Sequence, residues 1–176
     1  MAMVGLFWIA EGDVYVGAKP TGSAPGVRLT PEGVLALGDG QAGLHLWEDV
    51  RALTMAAVPV KTLKRQIGAV TEMALDTVVN FAMPGGPGPS GGGPALMTLR
   101  VESPGGEKEL SVYAAAAVGY TPAEADLSQA LLSRLTDGAA TMATTLAAMS
   151  EWGRTWEEGS SPRAAEREEL LRTWVG

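Results

Sequence analysis

The stretch Leu44–Val60, LHLWEDVRALTMAAVPV, decides how this chain folds. Leu44 and Leu46 begin a two-residue alternation, which Trp47-Glu48-Asp49 breaks with a three-residue step before Val50 and Leu53. A β-strand keeps period two because successive side chains point to opposite faces. The step therefore predicts a bend at Trp47–Asp49, where the chain leaves one β-sheet for another. Trp47, Val50 and Leu53 are the expected core anchors, and the chain extends again through Thr54–Val58.

Upstream, the sequence reads as short strands. Val4–Ala10 is apolar on both alternating sets, as expected of a strand covered on two sides. Glu11-Gly12-Asp13 is a tight turn into Val14–Ala18, and Lys19–Gly26 is a loop by its Pro, Gly and Ser content. Pro31-Glu32-Gly33 turns Val27–Thr30 back onto Val34–Leu37, with Pro and Gly where a type I turn takes them. Gly38–Gly43 is the last turn before Leu44–Trp47.

Downstream the period changes. Leu63, Ile67, Val70, Ala74, Val78 and Phe81 recur at steps of three and four, which predicts a helix over 62–82. Lys61, Lys64 and Arg65 at its start read as a solvated helix end or as a weak contact for an anion or acidic partner. Pro84–Pro94 holds only Gly, Pro and one Ser, the composition of a flexible linker. Strands follow at 95–102 and 108–114, turned by Ser103-Pro104-Gly105-Gly106. Thr121-Pro122-Ala123-Glu124 is a capping box opening a helix over 122–136. Met142, Leu146, Met149, Trp152 and Trp156 then stripe a second helix, and a last one carries Leu171 and Trp174.

Composition excludes several functions. The net charge is −7 with no large basic stripe, so nucleic acid is not an expected partner. No cysteine is present, which removes disulfides, thiolate metal sites and a cysteine nucleophile, and suits a reducing cytoplasm. The apolar N-terminal run ends at Glu11 after ten residues without a basic leader, so it reads as a strand rather than a signal peptide or membrane span.

The motifs that suggest chemistry fail on context. Gly38, Gly40 and Gly43 match G-x-G-x-x-G, but a strand follows where the dinucleotide fingerprint needs a helix N-terminus. Gly88-Pro89-Ser90-Gly91-Gly92 matches a nucleophile elbow inside the linker, with the only histidine, His45, on the wrong side in chain order. One histidine and no cysteine leave no metal-ligand pattern, and His45 reads as an outer-face strand residue. The adjacent acids Glu48/Asp49, Glu157/Glu158 and Glu168/Glu169 point in different directions and read as solvated faces. No catalytic, cofactor or metal site is expected.

The eight expected strands (4–10, 14–18, 27–30, 34–37, 44–47, 54–58, 95–102, 108–114), closed by a helix at 122–136, resemble the bacterial pleckstrin-homology-like architecture. Trp47-Glu48-Asp49-Val50-Arg51-Ala52-Leu53 is similar to the aromatic, acidic and aliphatic turn such domains carry between sheets. The resemblance implies an α+β fold, an antiparallel sandwich or split barrel over residues 1–138. The helix at 62–82 and linker 84–94 would be insertions, and 139–176 a helical extension. No basic headgroup motif occupies the early hairpin loops, where Lys19 and Arg28 stand alone, so lipid binding is not carried over.

The expected function is a non-catalytic cytoplasmic interaction module that binds a protein partner or itself. The stripe Met142, Leu146, Met149, Trp152 and Trp156 is its candidate contact face, since Met and Trp are adaptable contact residues. The alternative is a small-molecule-binding or enzymatic domain whose pocket uses Tyr15, Tyr113, Tyr120 or backbone groups. If the Trp47 ring is buried, Trp47→Ala costs about 3–5 kcal/mol in chemical denaturation; a fully stable variant would put the pivot elsewhere.

Overall fold

The computed structural model of the chain describes residues 2–38, 40–60, 95–116, 119–156 and 162–176. The expected helix at 62–82, the linker 84–94 and the basic group Lys61, Lys64 and Arg65 lie outside the described residues, as do Glu157 and Glu158.

Turn chemistry sets the first sheet. Its strands are β1 (Ala2–Val4), β2 (Phe7–Ala10), β3 (Asp13–Val16), β4 (Gly26–Leu29), β5 (Gly33–Leu37) and β6 (Gly43–Leu46), antiparallel and in chain order. The apolar run expected as one strand is folded in two. Gly5, at φ +60°, turns the chain between Val4 and Phe7, which pair directly. Glycine at the first central position of a two-residue loop is the type II′ arrangement, whose twist suits paired strands. The alternation hid this turn because Leu6, beside the glycine, is itself apolar and fully buried. Glu11-Gly12 turns as expected, both residues at positive φ, as a type I′ hairpin requires. Between β4 and β5 the Thr30 N–H donates to the Gly33 carbonyl (2.9 Å) and the Thr30 hydroxyl accepts from the Gly33 N–H (3.1 Å).

Trp47–Asp49 is a short 3₁₀ turn that carries the chain from β6 into a second sheet. That sheet is β7 (Ala52–Ala56), β8 (Leu96–Ser103) and β9 (Gly106–Tyr113), again antiparallel. Val50 and Leu53 are buried, and half-buried Trp47 donates its indole N–H to the Thr30 carbonyl at 2.7 Å. That bond ties the bend to the β4–β5 turn. The fold is thus α+β with two open antiparallel sheets, neither closing on itself.

Three helices follow. In α1 (Pro122–Leu135) the expected capping box is present: Glu124 N–H donates to the Thr121 hydroxyl (3.0 Å) and Thr121 N–H to the Glu124 carboxylate (3.1 Å). In α2 (Ala139–Thr155) Met142, Leu146, Met149 and Gly153 share the buried face, which lies on β2 and β3. A methyl at Gly153 would run into Ile9, so glycine sets how closely α2 approaches the sheet. α3 (Ala164–Val175) packs on α1, tied by an ion pair of Arg167 with Glu124, while buried Leu171 lies against the β1–β2 turn at Gly5 and buried Trp174 meets Trp152 of α2. A single hydrophobic core holds side chains from both sheets and all three helices. Helices α2 and α3 therefore contribute side chains to the same core as the sheets.

Open sheets leave edge N–H and C=O groups that need partners. Two glutamines supply them on the second sheet. From α1, Gln129 accepts from the Met55 N–H (2.9 Å) and donates to the Leu53 carbonyl (2.8 Å), closing the β7 edge. On the other side Gln41 accepts from the Ser111 N–H (2.8 Å) and donates toward the carbonyls of Ser111 and Leu37 (both 3.0 Å). Each amide thus stands in for a neighbouring strand. Gln129→Ala and Gln41→Ala should each destabilise by about 1–3 kcal/mol, the cost of stranding part-buried backbone groups. Gln129→Glu should recover little, since it sets a carboxylate against the Leu53 carbonyl. Urea denaturation reads the series, and losses below about 0.5 kcal/mol would show that water replaces the amides.

Candidate functional site

The stripe expected to receive a partner faces inward. Met142, Leu146 and Met149 are buried against this chain's own β2 and β3, and Trp152 and Trp156 are half-buried beside them. Trp152 stacks on Trp156 with centroids 5.0 Å apart and meets Trp174 of α3 edge-on at 5.9 Å. Gly153, one turn beyond Met149, lets α2 approach Ile9 closely, with Met142, Leu146 and Met149 buried on that face. Sequence spacing identifies an apolar face but not what it meets.

The three pocket tyrosines scatter. Tyr15 is buried in β3, and Tyr120 is fully buried with its hydroxyl accepting from the Ala115 N–H at 2.9 Å. Burial pushes the Tyr120 phenol up, with help from the nearby Glu124 charge and against two backbone hydrogen bonds. Tyr113 lines a cleft of about 470 Å³ shared with Lys19, Pro20, Thr21 and Pro25.

The acids also resolve into structure. Burial pushes the Glu124 carboxyl up, but hydrogen bonds from Arg167 and Thr121 and the Arg167 charge outweigh it, and the net direction is down. Glu168 and Glu169 pair with Arg172 along α3. Among the described residues no three His, Asp or Glu side chains gather as a metal site requires. Gly38, Gly40 and Gly43 lead into β6 and not into a helix, so the dinucleotide pattern has no helix terminus behind it.

What remains is the edge at β6. Leu44 and Leu46, the apolar members of the expected alternation, are 49% and 39% exposed. His45, expected outside, pairs with fully buried Val34, and directly opposed residues share a face. The alternation is right and its phase is reversed. β6 is the outermost strand of its sheet among the described residues. Trp47 N–H donates to the Glu32 carbonyl at 3.2 Å. By antiparallel alternation, the N–H and C=O groups of Leu44 and Leu46 then point away from β5. Beside them opens a cleft of about 330 Å³ lined by Leu44, His45, Leu46, Asp49, Val50 and the β8–β9 turn Ser103-Pro104-Gly105.

His45, Asp49 and Ser103 share this cleft, yet they do not form a hydrolytic triad. The Ser103 hydroxyl donates to the Gly106 carbonyl (3.0 Å), and among the described residues no hydrogen bond joins His45 to either partner. What the cleft offers is backbone hydrogen bonding, two exposed leucines and one acid. Nothing in the sequence says which strand will be outermost, and that fact alone creates the site. β6 itself has no Lys and no Pro, the residues that usually blunt an edge.

Comparison with known proteins finds no matching family model, no matching curated protein and no matching solved structure.

Burial lowers the His45 pKa from its ordinary 6.5, and the Lys108 charge lowers it further. Because the folded chain holds this proton less tightly than the unfolded one, His45 contributes stability present above that ordinary value and lost as pH falls below it. Following the imidazole C–H resonances by NMR should give a midpoint below 6.5. Lys108→Met should raise that midpoint partway, since burial is the larger cause. A midpoint at or above 6.5 would place His45 in open solvent.

Proposed function

We propose that this chain is a non-catalytic interaction module that receives an extended segment of a protein partner along β6. One observation carries the reading: an outermost strand with outward-facing backbone groups exposes two leucines, Leu44 opposite half-buried Leu35, on the face away from buried Val34 and Ala36. Pairing a further strand satisfies such an edge through main-chain hydrogen bonds, while alternate side chains give specificity. The helical tail serves the same reading indirectly, by completing the core that holds the sheet.

A pleckstrin-homology-like description of the fold belongs to this proposal. Two antiparallel sheets meet at the Trp47–Asp49 bend, and a capped helix follows β9 and lies along the edge of β7, which supports a split-barrel reading. The cysteine-free sequence supports a reducing, cytoplasmic setting. No described helix is long and apolar enough to cross a membrane.

The Tyr113 cleft favours a second reading, a small-molecule site in which Lys19 and Thr21 supply polar contacts. Titrating isotope-labelled protein with alternating-sequence peptides separates the two. Shift changes confined to residues 43–46 and 103–105 are expected. Saturable thermal stabilisation by a metabolite or nucleotide panel, with shifts at residues 18–25 and Tyr113, would overturn the edge reading in favour of the cleft.

A further inference from the structure

Resting on that edge reading, we infer that the segment β6 receives is basic as well as apolar: it runs antiparallel to β6 and carries Lys or Arg just before its alternating apolar residues. Charge supports this choice of occupant. Asp49 lies in the cleft at the C-terminal end of β6, beside exposed Glu48. On the hairpin tip across the cleft, Glu102 and Glu107 sit directly opposite each other in the β8–β9 ladder. Like charges so placed repel. Among the described residues none of these four acids is in an ion pair. Among the described residues, Arg51 and Lys108 are the bases next to these acids in sequence and ladder, two against four.

Geometry fixes where the cation goes. Antiparallel pairs are the more stable, so the incoming strand runs against β6. Its N-terminal end then lies at Asp49 and its apolar residues over Leu46 and Leu44. The exposed Lys108, whose charge reaches His45, discourages a cation further along.

A second copy of this chain fits less well. Pairing β6 with β6 would bring together two chains each carrying −7, and a four-residue strand buries far less than the roughly 1,200 Å² of a stable interface.

Fluorescence polarisation on the full chain tests this with three labelled peptides of about seven residues. One has two arginines followed by alternating valine and threonine, one has the reversed order, and one has two glutamates in place of the arginines. The arginine-first peptide should bind tightest, by about threefold to fivefold over the others, with the preference fading at high salt. Asp49→Lys should invert the preference toward the glutamate peptide. Leu44→Pro removes an outward N–H that the fold does not use, and should weaken all three peptides by about tenfold. Equal binding of the three, lost in Leu44→Pro, would overturn the basic preference while leaving the edge reading intact. Binding unaffected by Leu44→Pro, or none at all, would overturn both. Concentration-dependent dimerisation abolished by Leu44→Pro would assign the edge to a second copy instead.

Discussion

An open β-sheet must find partners for the backbone groups along its edges, and most of this structure answers that constraint. Among the described residues, two sheets have four edges. Gln129 fills one by reaching from α1 to Leu53 and Met55, and Gln41 fills another by bridging Ser111 to the first sheet. Ala18 N–H adds to the second closure by donating to the Tyr113 carbonyl at 2.7 Å. The third edge, β1, is three residues long, and α3 packs beside it. Among the described residues, β6 ends the first sheet with Leu44 and Leu46 exposed.

Helix α1 connects these closures. Its first turn binds Thr121 to Glu124, and Glu124 also takes the Arg167 guanidinium of α3. Arg167 in turn donates to the Pro162 carbonyl at 2.7 Å, which fixes the entry to α3. One turn further on, the buried Ser128 hydroxyl accepts from the Leu6 N–H at 3.0 Å and holds the β1–β2 turn. Gln129, the next residue, reaches the opposite sheet. A buried carboxylate is costly without a partner and tolerated with one, so Glu124 and Arg167 act as a single unit. Cap, helix packing and sheet edge are therefore coupled through one segment of about nine residues, consistent with the single core that spans the sheets and the helices.

Local chemistry was readable from the sequence wherever one residue type has one use. The capping box at Thr121, the turns at Glu11-Gly12 and Pro31-Glu32, and the bend at Trp47–Asp49 all fall where the spacing puts them. Misreadings arose where the answer depends on a distant residue. Gly5 splits an apolar run because its partner strand, not its neighbours, sets the register. The phase of β6 and the burial of the Met/Trp stripe depend on which element lies opposite. Gln41 and Gln129 look like ordinary polar residues in sequence, and only the placement of sheet edges gives them their role. The candidate site shares this character, being the product of strand order rather than of any motif.

The contrast between closed and open edges is directly measurable by amide hydrogen exchange on the full chain. Exchange reports whether a backbone N–H is held in a hydrogen bond or open to water. Met55 and Ser111, held by glutamine side chains, should exchange slowly, whereas Leu44 and Leu46 should exchange rapidly in the free protein. Protection of Leu44 and Leu46 equal to that of Ser111 would contradict an open β6 edge and remove the basis for partner binding there.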